Sequence, residues 1–267
     1  MACVAGWGIL LLWAGLRGQR IRPTRGELIT LFISGLLLWP GGNGLVVWAE
    51  QRADSGLAAL VVASMPIWVA VMEAILDRKL PSRVLVGSLL VGFAGIGVLS
   101  YPVLAGGVEA DLLSVLALLG ASITWGAGSL LQSRNPVALS PRASSGIQML
   151  SGGVGFFVLV QLMGEPMPEP SLNAWLAFTY LVLIGAVLAF TSFVTALQLL
   201  PTNVLMTYSY VNPVIAVLLG WLILDEAITG WTIGGMALVL LGVYGVFRER
   251  YQRRQAVSRA SEQAEHA

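Results

Sequence analysis

The chain has one cysteine, one histidine and very little charge, and these shortages set the first limits. Cys3 cannot form an intrachain disulfide or hold a metal alone, and the single histidine, His266, sits in a polar tail. Charged side chains make up 11% of the 267 residues while 57% are hydrophobic, a balance that does not describe a water-facing surface. There is no HExxH pair, no phosphate-cradling glycine loop with its lysine, and no nucleophile beside a base. Intramembrane proteolysis and nucleotide-driven chemistry therefore lack their residues, and no basic, aromatic-bearing domain is available to hold nucleic acid. The chain reads as a non-enzyme with no metal or cofactor.

What it does have is long apolar runs. Eight can be read, at 28–49, 56–76, 84–101, 112–131, 145–163, 175–197, 204–224 and 231–247. Each approaches the ~20 residues that cross a bilayer as a helix, whereas barrel strands would be about ten residues of alternating polarity. The expected fold class is an all-α polytopic membrane protein in contact with lipid. A ninth piece, 2–16, is short for a span. Arginines follow it instead of preceding it, which argues against a signal peptide, and it reads as a helix whose beginning is missing.

Charge placement predicts orientation. If the C-terminus is cytoplasmic and sides alternate backwards, the cytoplasmic loops receive Arg17, Arg20, Arg22 and Arg25; Arg78, Lys79 and Arg83; Arg134 and Arg142; and Arg248, Arg250, Arg253, Arg254 and Arg259. Only Arg52 of the fifteen basic residues falls outside, where the loops carry Glu50, Asp54, Glu109, Asp111, Glu165, Glu169, Asp225 and Glu226. The same alternation puts Met1 outside.

A shift of 147 positions lays Pro66 on Pro213, Gln51 on Gln198, Gly87 on Gly234 and Gly95 on Gly242. We therefore divide the chain into a first repeat at 1–103, a second at 104–247 and a polar tail at 248–267. The counterpart of the helix that opens the second half would lie before residue 1. The intact design is then ten helices in two five-helix units, with the first and the start of the second absent and about nine present. An odd number per unit makes the repeats inverted, the usual basis of alternating access. Gly87, Gly95, Gly234 and Gly242 suit tight packing of the helices 84–101 and 231–247.

Polar residues inside the apolar runs mark candidate sites. At 207–224, TYSYVNPVIAVLLGWLIL places Tyr208 and Asn212 on one face beside Pro213, whose missing N–H leaves the Ser209 carbonyl unpaired and predicts a kink; Pro66 predicts another. This is either the floor of a transport path or a polar hinge packed without ligand. The run 28–49 is predicted to break at Pro40, Gly41, Gly42, Asn43 and Gly44, with Trp39, Asn43 and Glu50 sharing a face. Asn43 is a ligand contact candidate. Glu50 is either a cation or proton site or an interfacial carboxylate near Arg52. Ser122, Trp125, Ser129 and Gln132 form a polar stripe, as do Gln148 with Ser151, and Thr191 with Thr195 and Gln198. Such stripes either line a cavity or bond between helices. Glu73 is a coupling candidate whose alternative is snorkelling toward Arg78 or Arg83.

GNGLVVWAEQ and SGLAALVVASMP (within 42–66), SITWGAGSLLQSR (122–134) and YSYVNPVIAVLLG (208–220), followed by Asp225-Glu226, resemble the EamA-type transporters of the drug/metabolite transporter superfamily, closest to the bacterial inner-membrane YedA-like branch. The resemblance covers essentially the whole chain, departing at Ala5, where an arginine is common. It implies a multi-pass inner (plasma) membrane carrier that exports small metabolites, amino acids or drugs. The expected substrate contacts are Asn43, Trp48, Ser64, Trp125, Gln148, Thr191, Tyr208, Tyr210 and Asn212. The rival is a non-transporting membrane module with a packed polar core, and a homo-oligomer is left open.

Overall fold

The structure is a computed structural model that describes residues 2–106, 111–164, 171–224 and 228–265. Glu109, Glu165, Glu169, the Asp225-Glu226 pair and His266 lie outside them. Among the described residues all regular structure is helical, and eight helices are long and apolar enough to cross a membrane: Arg25–Ala49, Ser55–Asp77, Arg83–Pro102, Leu112–Arg134, Pro141–Met163, Leu172–Leu199, Thr202–Ile223 and Gly230–Gln252. A shorter helix, α1 (Ala2–Leu16), precedes them. This is a multi-pass membrane protein.

Local chemistry sets several helix ends. Thr24 caps α2 (Arg25–Leu36) in a capping box with Glu27, Ser140 caps α8 (Pro141–Met163), and Asp111 Oδ1 accepts the Ser114 N–H 2.7 Å away as α7 (Leu112–Arg134) begins. Gly164 closes α8 in the left-handed conformation, φ 66°.

Four of these spans are irregular along their length. The first does not break at Pro40. It continues from α2 as a π-wound segment, π1 (Leu37–Gly44), and returns to α-helix as α3 (Leu45–Ala49). The wider turn accommodates a proline without ending the helix. A second π segment, π2 (Leu181–Ala189), lies between α9 (Leu172–Tyr180) and α10 (Phe190–Leu199). Shifting 37–44 by 147 residues gives 184–191, which overlaps π2.

The second span divides into α4 (Ser55–Val62) and α5 (Met65–Asp77), with Pro66 in the first turn of α5. The seventh divides into α11 (Thr202–Leu205) and α12 (Tyr208–Leu224). Its interruption falls at Met206 and Thr207, ahead of Pro213, which lies inside α12. The last helix, α13, runs unbroken over Gly230–Glu265, so the polar tail continues the final span as helix.

The chain forms two compact units, each drawn from two separate stretches of the sequence. The first comprises Met1–Val47 and Ile123–Thr202; the second comprises Trp48–Ser122 and Asn203–Ala267. In the first unit α8 is the central helix, packing α1, α2, π1 and α10. Its cores are the cluster of Leu10, Leu38, Met149, Ala186, Phe190 and Val194 and a smaller one around Leu31 and Ile147.

In the second unit α6 (Arg83–Ala105) and α13 pack along their length, with α12 against both. The close approach needs glycine: a Cβ at Gly242 would lie 2.5 Å from the Cα of Gly92, and one at Gly95 would lie 2.6 Å from the Val239 nitrogen. Gly87 and Gly234, expected to share that role, do not. Nothing lies within 4 Å of a Cβ at Gly87, and only Val98, at 3.9 Å, near one at Gly234.

Candidate functional site

Polar side chains within the apolar spans gather in each unit. In the first, Gln148 is fully buried on α8 and donates through Nε2 to Ser34 Oγ on α2 (2.8 Å) and to Gln132 Oε1 on α7 (2.9 Å). Three helices are thereby joined by one amide. Of the α7 stripe, Ser122, Ser129 and Gln132 are buried and Trp125 is half-buried, so the stripe faces protein. Both serine hydroxyls return their protons to carbonyls of their own helix, Leu118 O and Trp125 O.

Around this sits an aromatic belt. Trp39, on π1, meets Phe190 at 4.9 Å between ring centroids; Phe190 stacks with Phe193 at 6.0 Å, and Phe193 meets Trp125 at 5.5 Å. Gly42 lets Trp125 lie on π1, since a Cβ there would come 2.6 Å from the ring. Asn43 is half-buried on the same segment and Thr191 half-buried on α10. Asn43, Trp125, Gln148 and Thr191 thus belong to one unit.

The second unit holds Trp48, Ser64, Tyr208, Tyr210 and Asn212. Ser64 sits in the interruption before α5, donating to Val61 O (2.6 Å) and accepting from Trp68 Nε1 (3.1 Å). Trp48 is half-buried beneath the Arg52 guanidinium, 4.4 Å from its ring centroid. Tyr208 is half-buried and Asn212 exposed on α12. Tyr210 is committed elsewhere: it is fully buried on Gly92, and its hydroxyl donates to Leu89 O at 3.0 Å, a joint between α12 and α6.

Of the two carboxylates, Glu50 is exposed. Glu73 is half-buried and lines a cavity of about 320 Å³ with Asp77, Lys79, Asn203, Glu249 and Arg250. The cations that line the same cavity are Lys79 and Arg250. Arg250 Nε donates to Asn203 Oδ1 (3.0 Å) and Glu249 accepts from Ser82 Oγ (2.9 Å), which ties α13 to the chain before α6 and to α11. Among the described residues no group of three or more His, Cys, Asp or Glu could hold a metal.

Sequence reasoning missed Trp7, Phe190 and Phe193 in the aromatic belt and Asn203, Glu249 and Arg250 around the cavity. A phenylalanine in an apolar run reads alike whether it meets lipid or protein. Glu249 and Arg250 were signalled only as part of the polar tail.

A chain whose described residues form eight apolar spans, four of them with irregular backbone, can be compared with known proteins. The model of the EamA-like transporter family matches residues 1–101 and 112–248. The inner membrane transporter YedA of Escherichia coli K12 is 34% identical over 247 residues, covering 89% of this chain and 79% of YedA. A transporter of Archaeoglobus fulgidus is 27% identical over 75% of this chain and 71% of its own. Among the solved structures that share the fold is a crystal structure with a TM-score of 0.76 at 20% identity over 92% of this chain and 86% of the other. The chain belongs to the EamA-like transporter family.

Proposed function

We propose that the chain is a secondary carrier of the bacterial inner membrane that exports small metabolites, amino acids or drugs by alternating access between inverted repeats, 1–103 and 104–247, with 248–267 cytoplasmic. The observation that carries this reading is the pairing of irregular backbone. Segments π1 and π2 overlap under the 147-residue shift, and the interruptions at 63–64 and 206–207 agree under it to within about one turn. Non-helical backbone at membrane depth is tolerated where it lines a cavity or is buried in protein, and discontinuous helices form the midplane sites of many carriers. The EamA-like family match and the relatives named as transporters support the same reading.

Asn43, Trp48, Ser64, Trp125, Gln148, Thr191, Tyr208 and Asn212 are the substrate contacts of this proposal, and Pro66 and Pro213 mark where the spans bend. Glu50 and Glu73 are the coupling candidates. Tyr210 is left out because its ring and hydroxyl are both spent on packing. A second reading, a non-transporting module with a packed polar core, is favoured by the buried bonds of Ser34, Gln148 and Gln132.

Uptake into proteoliposomes, screened over a metabolite panel with and without a pH gradient, separates the two. The carrier gives saturable flux of at least one solute, and Asn212→Ala abolishes it while inserting normally. Wild-type flux in that variant would remove Asn212 from the site, and no flux of any solute would favour the packed module.

A further inference from the structure

The aromatic belt of the first unit holds hydrogen-bond donors that the protein leaves unmatched. The indole Nε1 atoms of Trp7, Trp39 and Trp125, all packed against the same core cluster, are buried with no partner among the described residues, and so is the Thr191 hydroxyl. An indole N–H can only donate, so the three indoles cannot satisfy one another, and among these four groups only the Thr191 oxygen can accept. Thr195, one turn on, does spend its hydroxyl on a carbonyl of its own helix, Thr191 O at 2.7 Å. Thr191 makes no such bond. Unmatched donors in an apolar interior are costly, and three indoles on one core amount to a demand for acceptors.

The surroundings narrow what can supply them. Among the described residues the one buried charged side chain, Glu249, belongs to the second unit, so a bare carboxylate or ammonium in this core would lose its water and gain no buried counter-charge. The rings of Trp39, Phe190, Phe193 and Trp125 follow one another at centroid distances of 4.9, 6.0 and 5.5 Å, an aromatic lining that a flat molecule complements. We infer that this core is a subsite for a neutral, flat, apolar molecule bearing two or more acceptor oxygens, such as a lactone or ring carbonyl, with Trp7, Trp39, Trp125 and Thr191 as its donors. This names a substrate class for the carrier and rests on the carrier reading for the ligand to be cargo.

Equilibrium dialysis of the detergent-purified full chain, corrected by empty micelles, tests it with three probes. Coumarin is neutral and carries a ring ether and a carbonyl oxygen. Naphthalene has a similar outline and no acceptor, and 2-naphthoate has a charged one. Coumarin is expected to bind at least about 5-fold more tightly than either of the others. Trp39→Phe and Trp125→Phe keep a ring and drop the N–H, so each should weaken coumarin about 2- to 10-fold and leave naphthalene unchanged. The wild-type probe order decides the matter even if a variant fails to fold. Coumarin binding no tighter than naphthalene, 2-naphthoate binding tightest, or folded Trp→Phe variants that bind coumarin normally would each overturn the assignment. Flux of another solute alongside such a result would leave the carrier reading standing; the predicted probe order in a chain that moves nothing would keep the subsite and end the carrier reading.

Discussion

Replacing Gln148 by leucine removes two hydrogen bonds from the middle of the first unit with little change in side-chain volume. The bonds lost are those to Ser34 Oγ (2.8 Å) and Gln132 Oε1 (2.9 Å). Interhelical hydrogen bonds in a bilayer average about 0.6 kcal/mol, so the direct loss is about 1 kcal/mol. The larger effect is on Gln132. Its Nε2 already lacks a partner, and the substitution leaves its buried Oε1 without one as well, which adds about 1–3 kcal/mol. Gln148→Leu should therefore destabilise the chain by about 2–4 kcal/mol. The double variant Gln132→Leu, Gln148→Leu replaces both amides by apolar groups and should recover part of that loss, a coupling of about 1–2 kcal/mol. Unfolding by SDS in mixed micelles, followed by circular dichroism, reads all three. Additive single effects, or a neutral Gln148→Leu, would refute the reasoning.

Gly242→Leu should disrupt the packing of α6 and α13 by at least about 1–3 kcal/mol, since its side chain would enter the backbone of Gly92, whereas Gly87→Leu should be tolerated. Thermal melting of the purified variants checks both. Tyr210→Phe keeps the ring on Gly92 and loses the bond to Leu89 O, which should cost about 0.5–1.5 kcal/mol by SDS unfolding while solute flux is retained. Glu27→Ala removes an acceptor shared by the Thr24 and Ala138 backbone N–H groups and by Arg20, so amide exchange in the first turn of α2 should accelerate.

The spans were legible because bilayer thickness demands about twenty apolar residues and leaves little choice of where they lie. Each of the eight read from sequence overlaps one found in the structure, and the largest shifts are at ends such as 248–252, where polar residues continue the helix. Irregular backbone was half legible. Pro40 with its glycines announced π1, though as a break, but nothing in LVLIGAVLA announces π2, because a π turn depends on hydrogen-bond register and not on any one side chain. At the interface of α6 and α13 the repeat singled out Gly87, Gly95, Gly234 and Gly242, of which Gly95 and Gly242 meet backbone, as do Gly92 and Gly235; contact is set by helix rotation, which a list of glycines does not contain. Tyr210 looked like its neighbours Tyr208 and Asn212 until its hydroxyl was seen on Leu89 O.

Solute counterflow tests the central claim most directly. Proteoliposomes holding the purified chain are loaded with unlabelled solute from the uptake screen and diluted into a trace of the labelled form. A carrier that exposes one site alternately to the two sides predicts transient accumulation of label above its equilibrium level, abolished by Asn212→Ala. Label that only equilibrates, at the rate seen in liposomes without the protein, would contradict the account.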